Sequence, residues 1–258
     1  MIGVWVNFAG VAVGGLIGTL LRGGISKKYQ VSINRVLALC VLVIGVSGAI
    51  KTANVLIVIV SAVVGTALGE WIRIERGLEK LGDWAQARFS KGEAGFADGF
   101  VNATLLFSVG AMAVVGSLEA GLSNRPDTLL AKAVIDTVTA IIFASTFGAG
   151  VILSAVPLTI YQGGIAALAG VLAPLLTDSL VNEMSAVGSL IIIGLSVNML
   201  GLTKERLRVG NMLPAMLVPA AYFPIAALIE KIFQLAFATS ARTSSSVSPG
   251  RSLRSATM

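Results

Sequence analysis

Lys132 and Asp136 are the residues of this chain whose types and spacing could do chemistry. Both lie in AKAVIDTVTAIIFASTFGAG, residues 131–150, a run that is otherwise almost wholly apolar or small. A charge near the middle of a membrane helix costs about 2.5–3.5 kcal/mol on insertion scales, and it persists where it faces other helices or water. Asp136 is therefore a candidate cation or proton site. The structural alternative is a Lys132–Asp136 ion pair at i, i+4, with the lysine snorkelling outward. At about 100° per residue, Thr139 and Thr146 share that helix face and would add hydroxyl ligands. Counted from a span start near residue 128, Asp136 lies roughly 12 Å along the helix at 1.5 Å per residue.

The composition says what surrounds this pair. The chain has 258 residues, of which 55% are hydrophobic and 12% charged. Its mean hydropathy is +0.89. Soluble domains carry about 25% charged residues, and no long polar segment is present to build one. The net charge of +6 is gathered in short loops, the pattern of membrane orientation. Nucleic acid is not expected as a partner. With no histidine and the single Cys40, the chain forms no internal disulfide and no Cys/His metal site. It carries no Walker A loop and no Gly-x-Ser-x-Gly elbow, so neither catalytic residues nor cofactors are expected. MIGVWVNFAG lacks a basic leader and a cleavage site, and reads as a retained first span.

About 20 apolar residues span a bilayer core as a helix. Eight such runs occur, near 2–21, 33–50, 53–72, 98–118, 128–153, 158–177, 184–202 and 209–233. They are continuous and do not alternate, so helices are expected, not barrel strands. The fold class is thus all-α, a polytopic transmembrane bundle in one domain, 1–235. Residues 236–258 form a Ser/Arg-rich tail expected to be disordered. Between spans 3 and 4, Trp71, Ile74, Leu78, Leu81 and Trp84 recur at helical spacing among Arg73, Arg76, Lys80 and Arg88. That predicts an amphipathic helix over 71–90, either on the membrane surface or tucked under the bundle as a connector. Arg22, Lys28 and Arg35 after span 1, the cluster after span 3, and Lys204, Arg206 and Arg208 after span 7 place the N-terminus outside.

Other polar residues break the apolar runs. Phe147-Gly148-Ala149-Gly150, then Ser154 and Pro157, would weaken the inner end of span 5, with Gln162 and Gly163 soon after, as a broken helix that exposes carbonyls or as a tight turn. Asn198 and Asn211 are either solute contacts or hydrogen-bonding glue between helices. Gly10-x-x-x-Gly14-x-x-x-Gly18 asks for close helix packing, within the chain or between copies of a homo-oligomer.

Ile44-Gly45-Val46-Ser47 in span 2 matches Ile193-Gly194-Leu195-Ser196 in span 7. Asn54 matches Asn211, and GGLIGTL of span 1 matches AALAGVL of span 6, all in keeping order. Spans 1–3 thus read as an inverted repeat of spans 6–8, an architecture of secondary transporters. Coincidence among abundant Gly, Ala, Val and Ile is the competing reading.

GAMAVVGSLEAGL (110–122), YQGG (161–164), EMSAVGSLIIIGLSVNMLGL (183–202) and RVGNMLPAM (208–216) resemble the bacterial membrane family catalogued as domain of unknown function 554. The resemblance runs to about residue 235. It implies a multi-pass protein of the bacterial inner membrane and carries no residue roles with it. The residues themselves point to an ion-coupled permease for a small solute or ion, embedded in the lipid bilayer. An oligomeric channel lined by 128–153 and a non-transporting scaffold are the alternatives.

Overall fold

The computed structural model describes residues 1–24, 26–89 and 95–222, and every regular element among them is helical. Outside the described residues lie the Ser/Arg-rich tail of 236–258, the second half of the expected eighth span and the last residue of the expected 71–90 helix. Residues 1–220 form one compact unit, and Ala221–Met258 is set apart as a second.

In chain order the helices are α1 (Ile2–Arg22), α2 (Lys27–Ala49), α3 (Val55–Ile72), α4 (Ile74–Phe89), α5 (Phe96–Ser108) and α6 (Ala111–Leu122). There follow α7 (Asp127–Phe147), α8 (Gly150–Leu153), α9 (Ala155–Ala167), α10 (Ala169–Leu172), α11 (Asp178–Leu200) and a 3-10 helix at Val209–Leu217. Six stretches are long and apolar enough to cross a membrane: α1, α2, α3, α7, α8–α9 and α11. The pair α5/α6, bent by 65° at a short break, makes a seventh if it is counted as one span. Six or seven of the expected spans are thus present among the described residues, the bent pair deciding between the two counts. Of the expected eighth, 209–233, only the segment 209–222 is described. Pro214 sits inside that segment and cannot donate to a helical ladder, and the chain there winds as a 3-10 helix before a short apolar turn.

Small residues set the helix pairs. α1 and α7 run parallel, with Gly3 against Leu129, Gly10 and Gly14 against Thr137, and Gly18 against Ile141. A Cβ at Gly18 would collide with the Ile141 carbonyl. The glycine stripe of α1 is therefore buried within the chain. α2 and α11 run antiparallel: Gly45 and Gly48 face Ser189, and Ser196 Oγ donates to Ala38 O at 2.7 Å. α3 lies against the 3-10 helix, with Gly65 on Ala215 and Gly69 on Asn211. α11 is mostly enclosed by its neighbours, whereas α2 and α3 turn most of their apolar surface outward, as lipid-facing helices do. Val11, Val41, Phe107, Phe143, Leu158 and Ile191 meet in the central core.

The expected surface helix begins later than its periodicity suggested. Trp71 and Ile72 finish α3, and Arg73 breaks the chain in the left-handed region at φ 62°. α4 is amphipathic, as its periodicity predicted. Gly82 and Ala85 are buried under the bundle, while Leu81 and Trp84 are exposed.

Of the expected weak points, the glycine-rich one ends a helix and the proline one does not. Pro157 occupies the first turn of α9, where a missing N–H costs nothing, and Gln162 and Gly163 continue the helix. Ser154 is only a joint, bridged by the Leu158 N–H donating to Ser154 O at 3.2 Å. α7 ends earlier, at Gly148 with φ 85°, so the sixth apolar run is 150–167 and not 158–177. The unwound backbone inside the bundle is Val109–Gly110, and Gly110 adopts φ 125° and ψ 149°.

Candidate functional site

The expected pair forms, and it is buried. Lys132 Nζ lies 2.8 Å from Asp136 Oδ1 and 2.6 Å from Oδ2, and the residues are 6% and 4% exposed. One helical turn brings them together on α7. Because α1 packs so closely on α7, Asn7 reaches the same carboxylate. Asn7 Nδ2 donates to Asp136 Oδ2 at 3.1 Å and to Gln162 Oε1 of α9, also at 3.1 Å. Asn7 and Gln162 are fully buried. The ionised carboxylate accepts only, so Asn7 must turn its NH2 toward it. Gln162 must then offer Asn7 its oxygen. That leaves Asn7 Oδ1 and Gln162 Nε2 buried without partners.

One side of this node opens on a cavity of about 410 Å³. Its walls include Lys51, Gly110, Lys132, Asp136, Thr139 and Ser185. The α5/α6 break forms part of the wall, which explains how unwound backbone is tolerated within the bundle. Ser185 Oγ caps α6 by accepting from the Ala111 N–H at 3.0 Å. Ile44, Leu106 and Thr139 join this cavity to an apolar groove of about 410 Å³ that Val36, Cys40 and Phe143 also line. At the other end of α7, a third cavity of about 570 Å³ is polar, with Asn34, Glu75, Glu79, Asp98, Asn198 and Arg206 in its walls.

The remaining expected residues are dispersed. Thr139 borders the Asp136 cavity, though its hydroxyl donates to Ile135 O at 2.8 Å. Thr146 Oγ1 is buried without a partner, further along α7. Asn198 holds the backbone of Leu207 from both sides, accepting from its N–H at 2.8 Å and donating to its carbonyl at 2.7 Å. Asn211 accepts from the Glu75 N–H at 2.7 Å, while Glu75 Oε2 accepts from the Gly210 N–H at 2.6 Å. That second exchange clamps the 3-10 helix to the start of α4. Burial pushes the Glu75 carboxyl above the ordinary carboxylate range. Of the expected junction residues, Gln162 joins the node and Ser154, Pro157 and Gly163 do not. Asn7, Lys51 and Ser185 were not expected. Asn7 had a signal, as the one carboxamide of α1, whose other polar residues, Thr19 and Arg22, lie at its far end. Among the described residues no cluster of three or more carboxylates or cysteines is placed to hold a metal ion.

Two similar proteins cover nearly all of their own length. The uncharacterized protein YqgA of Escherichia coli K12 is 30% identical over 223 residues, 84% of this chain and 94% of its own. The uncharacterized membrane protein YdfK of Bacillus subtilis 168 is 30% identical over 241 residues, 92% of this chain and 100% of its own. No solved structure matches. Residues 2–223 match the protein family of unknown function DUF554, and this multi-pass membrane protein belongs to that family.

Proposed function

We propose that this protein is a secondary transporter for a small solute or ion in the bacterial cytoplasmic membrane, with its N-terminus outside and Asp136 as its exchanging group. The observation that carries the reading is the position of Asp136, a buried carboxylate on a membrane-length helix with one side open to a cavity of about 410 Å³. A pair serving stability alone would need no cavity, and a buried ion pair is a weak stabiliser in any case. Unwound backbone beside the cavity is a recurrent feature of transporter sites. The proposed inverted repeat agrees with the packing, since its matched spans meet antiparallel as α2 with α11 and as α3 with the 3-10 segment. A pore between copies along α7 is the weaker reading. The exposed side of α7 includes Val134, Ile135, Val138 and Ile142, and Lys132 and Asp136 are buried. No catalytic step or cofactor enters this function.

The test is solute and ion flux in proteoliposomes, comparing wild type with Asp136→Asn. Flux in the wild type that falls at least tenfold in the variant is the expected outcome. Equal flux in both would remove Asp136 from the mechanism, and no wild-type flux across a broad panel would favour a scaffold.

A further inference from the structure

The walls of the Asp136 cavity are not built for a cation. The charged residues lining it are Lys51, Lys132 and Asp136, two lysines to one carboxylate. Nearby carboxylates are occupied. Glu183 of α11 accepts from the Ala53 N–H at 2.7 Å and from the Thr52 hydroxyl, and Glu119 of α6 accepts from Thr128 Oγ1 at 2.6 Å. Neither lines the cavity. From α1 the Asn7 amide donates to Asp136, Gln162 of α9 meets Asn7, and α11 contributes Asn182 and Ser185 to the walls. Lys51 forms no ion pair among the described residues.

The backbone adds to this excess of donors. At the break the chain turns back into helix at α6, whose first N–H groups lack intrahelical acceptors. Ser185 satisfies Ala111, but no acceptor meets the N–H of Gly110 or Met112 among the described residues. A Cβ at Gly110 would meet nothing within 4 Å, so the break faces open space. Unpartnered N–H groups, a buried ammonium and a second lysine thus border one volume, and a half-helix N-terminus favours negative charge.

Resting on the transporter reading above, we propose that the cavity binds a small monovalent anion and that each anion enters with one proton, taken by Asp136. The site begins neutral, as Lys132⁺ with Asp136⁻. The incoming anion draws the Lys132 ammonium away and accepts further hydrogen bonds from Gly110 and Met112. Asp136 loses its cation and takes the proton that enters with the anion from bulk solvent, relayed through the cavity. Oδ1 is the receiving oxygen, because Asn7 already donates to Oδ2. The site ends neutral, with Lys132⁺ paired to the anion and Asp136 as the acid. No net charge is left unpaired in low dielectric, the state that costs most.

The experiment is isothermal titration of the purified full chain with chloride, nitrate, dihydrogen phosphate and lactate, at one pH in two buffers of different ionisation heat. At least one probe should bind wild type with uptake of about one proton, the linkage expected when binding shifts a titrating group. Asp136→Asn, its lysine freed, should bind that probe more tightly and take up no proton. Lys132→Met should lose about tenfold or more of the affinity, as the loss of a charge-assisted contact implies. If Lys132→Met fails to fold, the uncharged pair K132M/D136N keeps the shapes and should bind no probe. Binding without proton uptake, proton uptake that survives in Asp136→Asn, or wild-type affinity in the Lys132 variants would each overturn the proposal. So would the absence of binding by any probe. If proteoliposomes then still carry a neutral or cationic solute, the transporter reading stands alone, and if they carry nothing, it falls too.

Discussion

Asn7 Nδ2 stands 3.1 Å from Asp136 Oδ2, so a carboxamide on the first helix holds the carboxylate of the seventh. The same nitrogen reaches Gln162, and three helices are tied by one amide. Asn7→Leu should therefore destabilise the protein by about 1–2 kcal/mol, the upper range for interhelical hydrogen bonds in membranes. N7L/Q162L should lose less than the sum of the single changes, because Gln162 Oε1 is orphaned only when Asn7 alone is removed. Denaturation of the detergent-solubilised variants measures the coupling, and strict additivity would mean that the amides do not interact.

Removing half of a buried ion pair leaves a charge without a partner. Lys132→Met alone should cost about 3–5 kcal/mol, and adding Asp136→Asn should recover most of it. Thermal unfolding of both variants checks this. A double variant as unstable as the single one would mean that packing, and not charge, holds the site.

The glycines of this chain differ sharply in tolerance. Gly18→Val should prevent folding or part α1 from α7, because its Cβ falls on the Ile141 carbonyl. Gly164→Ala meets nothing within 4 Å and should be neutral, or gain about 0.5–1 kcal/mol from helix propensity. Expression yield and size-exclusion profiles of the two variants give the comparison.

Loop 201–208 is held by two kinds of contact. Asn198→Ala removes both hydrogen bonds to Leu207 and should cost about 1–3 kcal/mol. Arg206→Ala breaks a solvent-exposed pair with Asp98 at 2.8 Å and should cost about 0–1 kcal/mol. Equal losses would show that the surface pair does more than its exposure allows.

Glu75 makes stability depend on pH. Its folded-state carboxyl is raised by burial, so the folded protein holds that proton more tightly than the unfolded chain does. The resulting stability is present below the ordinary value of about 4.3 and is lost as pH rises through the raised one. Glu75→Gln should escape that loss. Its stability relative to wild type should therefore improve as pH rises from about the ordinary carboxylate value through the raised one, and a difference that stays flat with pH would contradict the assignment.

How much of this was legible follows from which interactions are local. Lys132 and Asp136 pair at i, i+4 on one helix, so their spacing alone announced them. The glycine stripe of α1 declared a close helix neighbour but could not name α7. Proline and paired glycines drew attention to 154–164, yet proline in a first turn is compatible with a helix. The true break at Gly110 depends on Ser185 of α11 capping Ala111, a contact between residues distant in the chain. Asn198 and Asn211 looked like ligands because polar side chains in apolar runs invite that reading. In the folded chain they spend their hydrogen bonds on the backbone of Leu207 and Glu75.

The tie made by Asn7 also has an order in time. Its partners lie 129 and 155 residues further along the chain. During synthesis α1 emerges first, with a carboxamide and a glycine stripe that nothing yet covers. α2 to α6 must all be delivered before α7 arrives to close the seam, and α9 follows later still. The nascent protein thus carries the carboxamide and glycine face of α1 unmatched until α7 has been made, and a chain interrupted before Asp127 would hold that face without its partner.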